Sequence, residues 1–438
     1  SILTGKQPHA IQTMRLEGTY PGSTYDPKVC EFWPKVFRQK GYQTAHIGKW
    51  HTGTDTGWGR DWDHQIVWNR PLHPENAGNY YKDQILYEDG VKRTEPGYTT
   101  DRYTDWAVDY LKGRKRDPEK PWFLWLCYGA IHGPTTPAKR HLGKHKDDEV
   151  KMPADLFGPR PGKPDYLEKT QAWVKGPDGQ VYAGKSGAAF GEEENEKKRK
   201  IFEDLVHQTN ECVEALDEGI GRVLEALRES GQLENTLIVF TADQGFAMGE
   251  HGFRMKLGPW DATYRSPFIV SMPSRFAQGK VCAQPVHGVD LVSTFFAAAG
   301  LAEPWEMHGR DLTPLLKTPE VKESEIRPLF YEHMGHEYGS DVEATLRQHP
   351  EKAEHNNVPF YIALNDGRWK YIRYLKANET EELYDLKADP EELQNLADDG
   401  AHGEQLKRLR SLAQEEARRT KAGFVEEMPA TRQMTAGR

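Results

Sequence analysis

Two kinds of apolar pattern alternate along this chain. Val29, Phe32, Trp33, Val36 and Phe37 recur at helical spacing and predict a helix over residues 28–40, which Gly41 ends. Residues 44–47 then read as a short strand. Ala107, Val108 and Leu111 mark the inward face of a second helix over 100–112. Pro121 opens a continuous apolar run over 122–128, a buried-strand length. From His132 to about Glu194 the sequence is polar and rich in Gly and Pro, and reads as a long surface excursion near a site. Val213, Leu216, Ile220, Val223 and Leu227 predict a long helix stopped by Gly231, followed by buried strands at 236–240 and 268–272. Helices alternating with continuous apolar strands indicate a parallel α/β sheet.

After about Pro319 the pattern changes. Residues 329–332, 359–364 and 369–374 read as short antiparallel strands, with Asp366-Gly367 as a hairpin turn. A helix over 403–419 follows, and the stretch from Lys421 has no clear pattern. The expected organisation is a main domain over 1–318 and a smaller C-terminal α+β unit over 319–438.

Composition narrows the function. The chain has 438 residues and a net charge of −9, from 67 acidic and 58 basic residues. That balance argues against nucleic-acid binding. The dense basic string 196–200 is flanked by glutamates and reads as the solvated start of a helix. No run of about 18 apolar residues is present, so no membrane span is expected. Cys30, Cys127, Cys212 and Cys282 are far apart, with no C-x-x-C; they read as buried free thiols.

Candidate chemistry sits after three of the strands. Gly48-Lys49-Trp50-His51 follows the first, with Gly48 read as a sharp turn and Lys49 and His51 on one side of an extended segment. A cation beside an imidazole suits anion binding and proton transfer. His132 follows the 122–128 strand. Asp243-Gln244-Gly245 ends the 236–240 strand and offers adjacent side-chain oxygens suited to a hard cation. Gly249-Glu250-His251-Gly252 and Lys256 come shortly after. Each fragment alone also fits an ordinary turn or loop. Together they place lysines, histidines and a carboxylate at strand ends, where ligands gather in α/β sheets.

These motifs resemble the sulfatase family of the alkaline-phosphatase-like superfamily. Residues 41–51 are similar to its second signature. Asp243-Gln244-Gly245, Gly249-Glu250-His251-Gly252 and Lys256 are similar to its D-[HNQ]-G … G-E-H-G … K block, and His132 matches a histidine after its central strand. Glu382-Leu383-Tyr384-Asp385-Leu386, Asp389-Pro390 and Asn395-Leu396 resemble its C-terminal ending. The likeness runs from Ser1 to about Ala397, and points to the branch with iduronate sulfatases and bacterial glycan sulfatases.

The resemblance implies a large mixed, mainly parallel sheet flanked by helices, with a smaller C-terminal subdomain of antiparallel strands. It implies hydrolysis of sulfate esters on carbohydrate, through a formylglycine nucleophile and Ca2+. Asp243 and Gln244 would be calcium ligands. Lys49, His51, His132 and Lys256 would be catalytic, with His132 the better candidate for general acid. Arg254, His333 and His336 are candidates for substrate contact, and Trp58, Trp62 and Trp68 could stack on sugar rings or simply pack. Ser1-Ile2-Leu3-Thr4-Gly5 resembles the end of the family's nucleophile signature. The nucleophile, two further carboxylate ligands and the first central strand are therefore expected ahead of Ser1, and no turnover is expected from these residues alone. The implied partners are a sulfated carbohydrate and a formylglycine-generating or anaerobic maturation enzyme. The implied location is periplasmic or secreted. The alternatives are a phosphonate or phosphate monoester hydrolase of the same superfamily, and a non-catalytic, truncated glycan-binding protein.

Overall fold

The computed structural model of the protein describes residues 2–11, 15–17, 22–24, 30–184, 201–322 and 325–433. A short hairpin, β1 (Arg15–Glu17) and β2 (Gly22–Thr24), precedes α1 (Pro34–Gln39). The helix is shorter than the apolar spacing predicts. Pro34 takes the first turn, where its missing N–H costs nothing. Phe32 and Trp33 are buried ahead of the helix, and residues 28–29 lie outside the described residues. The basic string at 196–200 and Ser1 lie outside them too.

Next come β3 (Gln43–Trp50), β4 (His64–Asn69), β5 (Lys82–Glu88), β6 (Val91–Tyr98), α2 (Thr99–Leu111) and β7 (Trp122–Cys127). The five strands form one sheet in the order β6-β5-β4-β3-β7. Its centre, β4-β3-β7, is parallel, while β5 and β6 join antiparallel. The outer strands were not legible in the sequence. β6 is an edge strand with Pro96 and Gly97 and little apolar alternation, a composition tolerated only at an edge.

β3 is longer than the expected 44–47 and carries Lys49 within it. Gly48 is not a turn but a strand residue at φ +119°. A Cβ there would sit inside the Cys127 carbonyl of β7, so glycine is what lets these two strands pair at their carboxyl ends.

The excursion after β7 contributes α3 (Leu167–Thr170) and the hairpin β8 (Trp173–Lys175) and β9 (Val181–Ala183). Then follow α4 (Phe202–Glu229), β10 (Ile238–Thr241), α5 (Asp261–Tyr264), β11 (Phe268–Ser271), α6 (Gly288–Ala299) and α7 (Thr313–Lys317). The expectation of parallel strands fails for this pair. β10 and β11 form a two-stranded antiparallel sheet, Ile238 opposite Ser271.

The C-terminal region holds β12 (Leu329–His333), α8 (Ser340–Gln348), the hairpin β13 (Glu354–His355) and β14 (Val358–Pro359), β15 (Tyr361–Asn365), β16 (Trp369–Tyr374), β17 (Glu382–Asp385) and α9 (Gly403–Arg419). The order β12-β15-β16-β17 is antiparallel throughout. Alternate residues bury opposite faces, the two-residue period of a strand. Ile362, Leu364, Tyr371 and Leu383 pack with α8 and α9 through Leu346, Leu409 and Ala413. Tyr361, Ala363, Ile372 and Tyr384 face the main body through Phe253 and Trp260. Phe424 and Val425, from the patternless stretch, are buried on the same core as α9.

The structure decides one reading from the sequence and corrects another. Trp62 and Trp68 are fully buried and cannot stack on a sugar; Trp62 packs on His46, Phe123 and Trp125, and Trp68 donates to Asn76 Oδ1 at 3.0 Å. Trp58 is exposed. All four thiols are free, but only Cys212 is fully buried; Cys30, Cys127 and Cys282 are partly exposed.

The start of the chain is tied to the C-terminal sheet by a buried ion pair. His9 Nδ1 donates to Glu332 Oε2 at 2.8 Å and His9 Nε2 donates to the Thr420 carbonyl at 2.9 Å. Both ring nitrogens therefore carry protons. Burial alone would lower the His9 pKa, but the Glu332 carboxylate outweighs it and raises it. The pair's stabilisation is fully present below the ordinary histidine range and is lost as pH rises through the raised value. Glu332→Gln should cost about 3 kcal/mol at neutral pH, because it leaves a buried imidazolium without its partner. It should also remove this part of the pH dependence. Urea unfolding of both proteins across roughly pH 5 to 9 measures this; parallel stability curves would rule out the pair as its source.

Candidate active site

Strand register assembles the site. β4 pairs with β3 in parallel, Lys49 opposite Trp68 and Trp50 opposite Asn69, so the next residues, His51 and Arg70, emerge side by side. Arg70 N–H bonds the Trp50 carbonyl at 3.2 Å. Trp50 turns to the core against Phe32, which leaves Lys49 and His51 on the other side, as the period of two requires. β7 ends at Cys127, beside Gly48, and His132 follows. β10 ends at Thr241, and Asp243 and Gln244 follow. Gly245 admits the backbone of 262–265, where any Cβ would collide.

These strand ends open on a cleft of 2690 Å³ lined by Lys49, His51, Arg70, His132, Asp243 and Lys256, among others. Tyr80, from the turn between β4 and β5, is buried beneath these residues. Its ring stacks on His132 at 3.9 Å and 8°, with the Arg70 guanidinium 4.8 Å and the Lys49 ammonium 5.2 Å from its centroid. Tyr80 Oη lies 3.0 Å from His132 Nε2. Lys256 Nζ lies 3.8 Å from Asp243 Oδ2.

Burial and crowding of cations set the proton chemistry. Lys49 is held down to about 8, first by burial, then by Arg70 and Lys256, with Asp243 opposing. His51 is held down to about 3 by burial, then by Arg70, Lys49, Lys256 and His132. His132 is held at about 4 by burial, which outweighs its hydrogen bond to Gly133, and by Lys49, Lys256 and Arg70. Both imidazoles are neutral at pH 7 in the free site. An anion placed among these cations would be held strongly and would favour protonating a neighbouring imidazole.

The structure brings Lys49, His51, His132, Asp243, Gln244, Lys256 and Arg254 to this one cleft. It does not bring His333 and His336 to the wall. They pack behind His355, with His336 3.9 Å and His333 6.1 Å from the His355 ring, centroid to centroid. It is His355 and Asn356, presented by the β13–β14 hairpin, that line the cleft. Burial holds His333 at about 3 and His355 at about 4.

Arg70, Tyr80 and His355 went unrecognised in the sequence. Arg70 obeys the rule that pointed to Lys49, a cation just past a buried strand. The run 64–69 mixes His, Gln and Asn with its apolar residues and so did not read as a strand.

Asp243 and Gln244 suit a hard cation in kind, each offering a side-chain oxygen. Asp243 Oδ1 also accepts the Gln244 N–H at 3.0 Å. Among the described residues no three His, Cys, Asp or Glu side chains cluster so as to hold a metal ion. Two donors are a fraction of the six to eight oxygens calcium takes.

Comparison with known proteins gives the family and the fold. The family model described as Sulfatase matches residues 1–301, and that described as N-sulphoglucosamine sulphohydrolase, C-terminal, matches 249–419. An N-acetylglucosamine-6-O-sulfatase of Bacteroides thetaiotaomicron is 29% identical, over 94% of this chain and 76% of its own length. A Delta 4,5-hexuronate-2-O-sulfatase of the same organism is 27% identical, over 100% of this chain and 82% of its own. A solved structure in complex with its substrate D-glucosamine-2-N,6-O-disulfate superposes with a TM-score of 0.77 at 26% identity, covering 96% of this chain and 87% of that one.

The Lys49 value carries a pH signature. Inorganic sulfate should bind the cleft more tightly below pH 8 and weaken as pH rises through about 8, where Lys49 loses its charge. Lys49→Met should weaken binding by about tenfold or more, the loss of one charge-assisted hydrogen bond, and flatten that pH dependence. Titration calorimetry against pH measures both; an unchanged pH slope in the variant would place the anion elsewhere.

Proposed function

The chain belongs to the sulfatase family, the sulfuric ester hydrolases, and from that premise we propose that it removes sulfate from a sulfated carbohydrate. The observation that carries the proposal is the convergence of Lys49, His51, His132 and Lys256 at the carboxyl ends of β3 and β7 and beside β10, in a cleft also lined by Asp243. The carbohydrate substrate class rests on the relatives, a glucosamine and a hexuronate sulfatase and a complex with a disulfated glucosamine.

The proposal includes a formylglycine nucleophile and Ca2+, with Asp243 and Gln244 among the residues that would hold the ion. When bound, these groups supply attack on sulfur and neutralisation of sulfate charge. A maturation enzyme that forms the formylglycine is the implied partner, and the periplasm or the exterior the implied location.

The chain's own residues have distinct tasks. Lys49 and Lys256 hold the sulfonyl oxygens, and preorganised donors of this kind contribute on the order of 3 kcal/mol each. His132 donates Nδ1–H to the Gly133 carbonyl at 2.6 Å, which leaves Nε2 as its reactive nitrogen. Neutral in the free site, His132 gains a proton when the sulfate charge arrives, and delivers it to the leaving oxygen. His355 and Asn356, on the opposite wall, face the sugar with uncharged donors and acceptors.

Sulfate release from sulfated monosaccharides should exceed phosphate release from matched phosphate esters. A faster phosphate reaction would favour the phosphonate or phosphate monoester hydrolase reading instead. His132→Ala should slow sugar sulfates by about 100-fold or more, and activated aryl sulfates much less, because only the former need a protonated leaving group. Equal losses on both would reduce His132 to holding sulfate. Asp243→Ala should abolish the activity that chelators remove; unchanged, chelator-sensitive activity would exclude Asp243 as a ligand.

A further inference from the structure

Arg70 is buried to 3% exposure, yet its guanidinium reaches the cleft. It is fixed by Nε–H donating to the Ala77 carbonyl at 2.8 Å and by stacking on Tyr80 and Trp68, 4.8 and 5.5 Å to the ring centroids. Its Nη1 lies 3.2 Å from His51 Nδ1. Arginine has donors only. That contact is a hydrogen bond only if His51 Nδ1 carries a lone pair, so the single proton of a neutral His51 sits on Nε2. His132 is bound the other way. Its Nδ1 must donate, because the Gly133 carbonyl 2.6 Å away can only accept. The lone pair of His132 is then on Nε2, 3.0 Å from Tyr80 Oη, a hydroxyl able to donate to it.

We propose that Arg70 is a positioning residue of this site: it occupies the Nδ1 lone pair of His51 and so keeps that imidazole an uncharged Nε2–H donor, while the Gly133 carbonyl fixes His132 in the opposite tautomer. Within one cleft, one imidazole then offers a proton from Nε2 and the other a lone pair. Two histidines of the same composition thereby receive distinct parts, set by one arginine and one carbonyl. The charged and titratable groups facing His51 agree with the assignment. Arg70 comes from the end of β4, Lys49 from β3, Lys256 from the loop after β10, and His132 from the loop after β7; all disfavour a second proton on His51. The tautomer assignment stands on the geometry of this chain, and only its use in hydrolysis rests on the sulfate-ester reading.

Long-range 1H–15N NMR of the histidine-labelled chain tests it without turnover. His51→Gln and His132→Gln identify the two signals. The unaltered chain should show His51 protonated at Nε2 and bare at Nδ1, and His132 the reverse, both staying singly protonated from about pH 8 to about pH 5. Arg70→Met should let neutral His51 populate the Nδ1–H tautomer while His132 keeps its own. Arg70→Lys, which restores a cationic donor, should restore the Nε2–H tautomer of His51. A His51 signal protonated at Nδ1 in the unaltered chain overturns the proposal, whatever the variants do. So does Arg70→Met with the remaining histidine signals intact and His51 still protonated wholly at Nε2. Loss of inorganic sulfate binding in Arg70→Met with an unchanged His51 signal would assign Arg70 to the anion instead, and overturn the positioning role.

Discussion

The close pairing of β3 with β7 is the constraint on which the site depends. Gly48 has no Cβ, and the space a Cβ would need is filled by the Cys127 carbonyl. The strands can therefore run in parallel register to their carboxyl ends, Gly48 beside Cys127. That register releases Lys49 and His51 at the same level as the loop bearing His132. On the other side of β3, the parallel register with β4 delivers Arg70 next to His51. A side chain at position 48 would pry β7 away and lose the alignment that makes four separate segments into one site.

The electrostatics follow from this crowding. Lys49, Arg70 and Lys256 surround two imidazoles in a partly dry cleft, and like charges at short range in low dielectric repel strongly. The cluster relieves this in three ways. Lys49 is lowered to about 8, the histidines stay neutral, and Asp243 balances Lys256 from 3.8 Å. The aromatic face of Tyr80 accepts the Arg70 and Lys49 charges as cation–π contacts. Such a site is most comfortable with an oxyanion inside it, such as the anionic sulfonyl group of a sulfate ester.

The C-terminal sheet is bound to the main body by buried polar pairs as well as by apolar packing. Lys163 lies between the Trp260 and Tyr384 rings and donates to Tyr384 Oη at 2.8 Å. Lys370 pairs with Asp261 and Glu392, and His9 with Glu332. Pairs of this kind add less to net stability than their Coulomb energy suggests, but removing one partner is costly. They fix one orientation of the sheet, and with it the His355–Asn356 hairpin at the edge of the cleft. The cleft is therefore built by both parts of the chain.

Much of this was legible in the sequence where a pattern repeats locally. The helix Gly403–Arg419, the strand Trp122–Cys127 and the C-terminal strands declared themselves by apolar period. Lys49, His51, His132, Asp243 and Lys256 declared themselves as polar groups just past such strands. What remained hidden depended on partners distant in sequence. β6 lacks a strong apolar rhythm because, at the sheet edge, it pairs with β5 alone. Trp62 and Trp68 are core, not platforms, because the sheet folds over them. Arg70 matters only because parallel register sets it beside a histidine 19 positions earlier. His333 and His336 lost their place at the wall to His355, which a hairpin carries in front of them. Local sequence determined which segments are strands and which polar groups follow them. Register and packing, which are set by contacts across the whole chain, decided which of those groups meet.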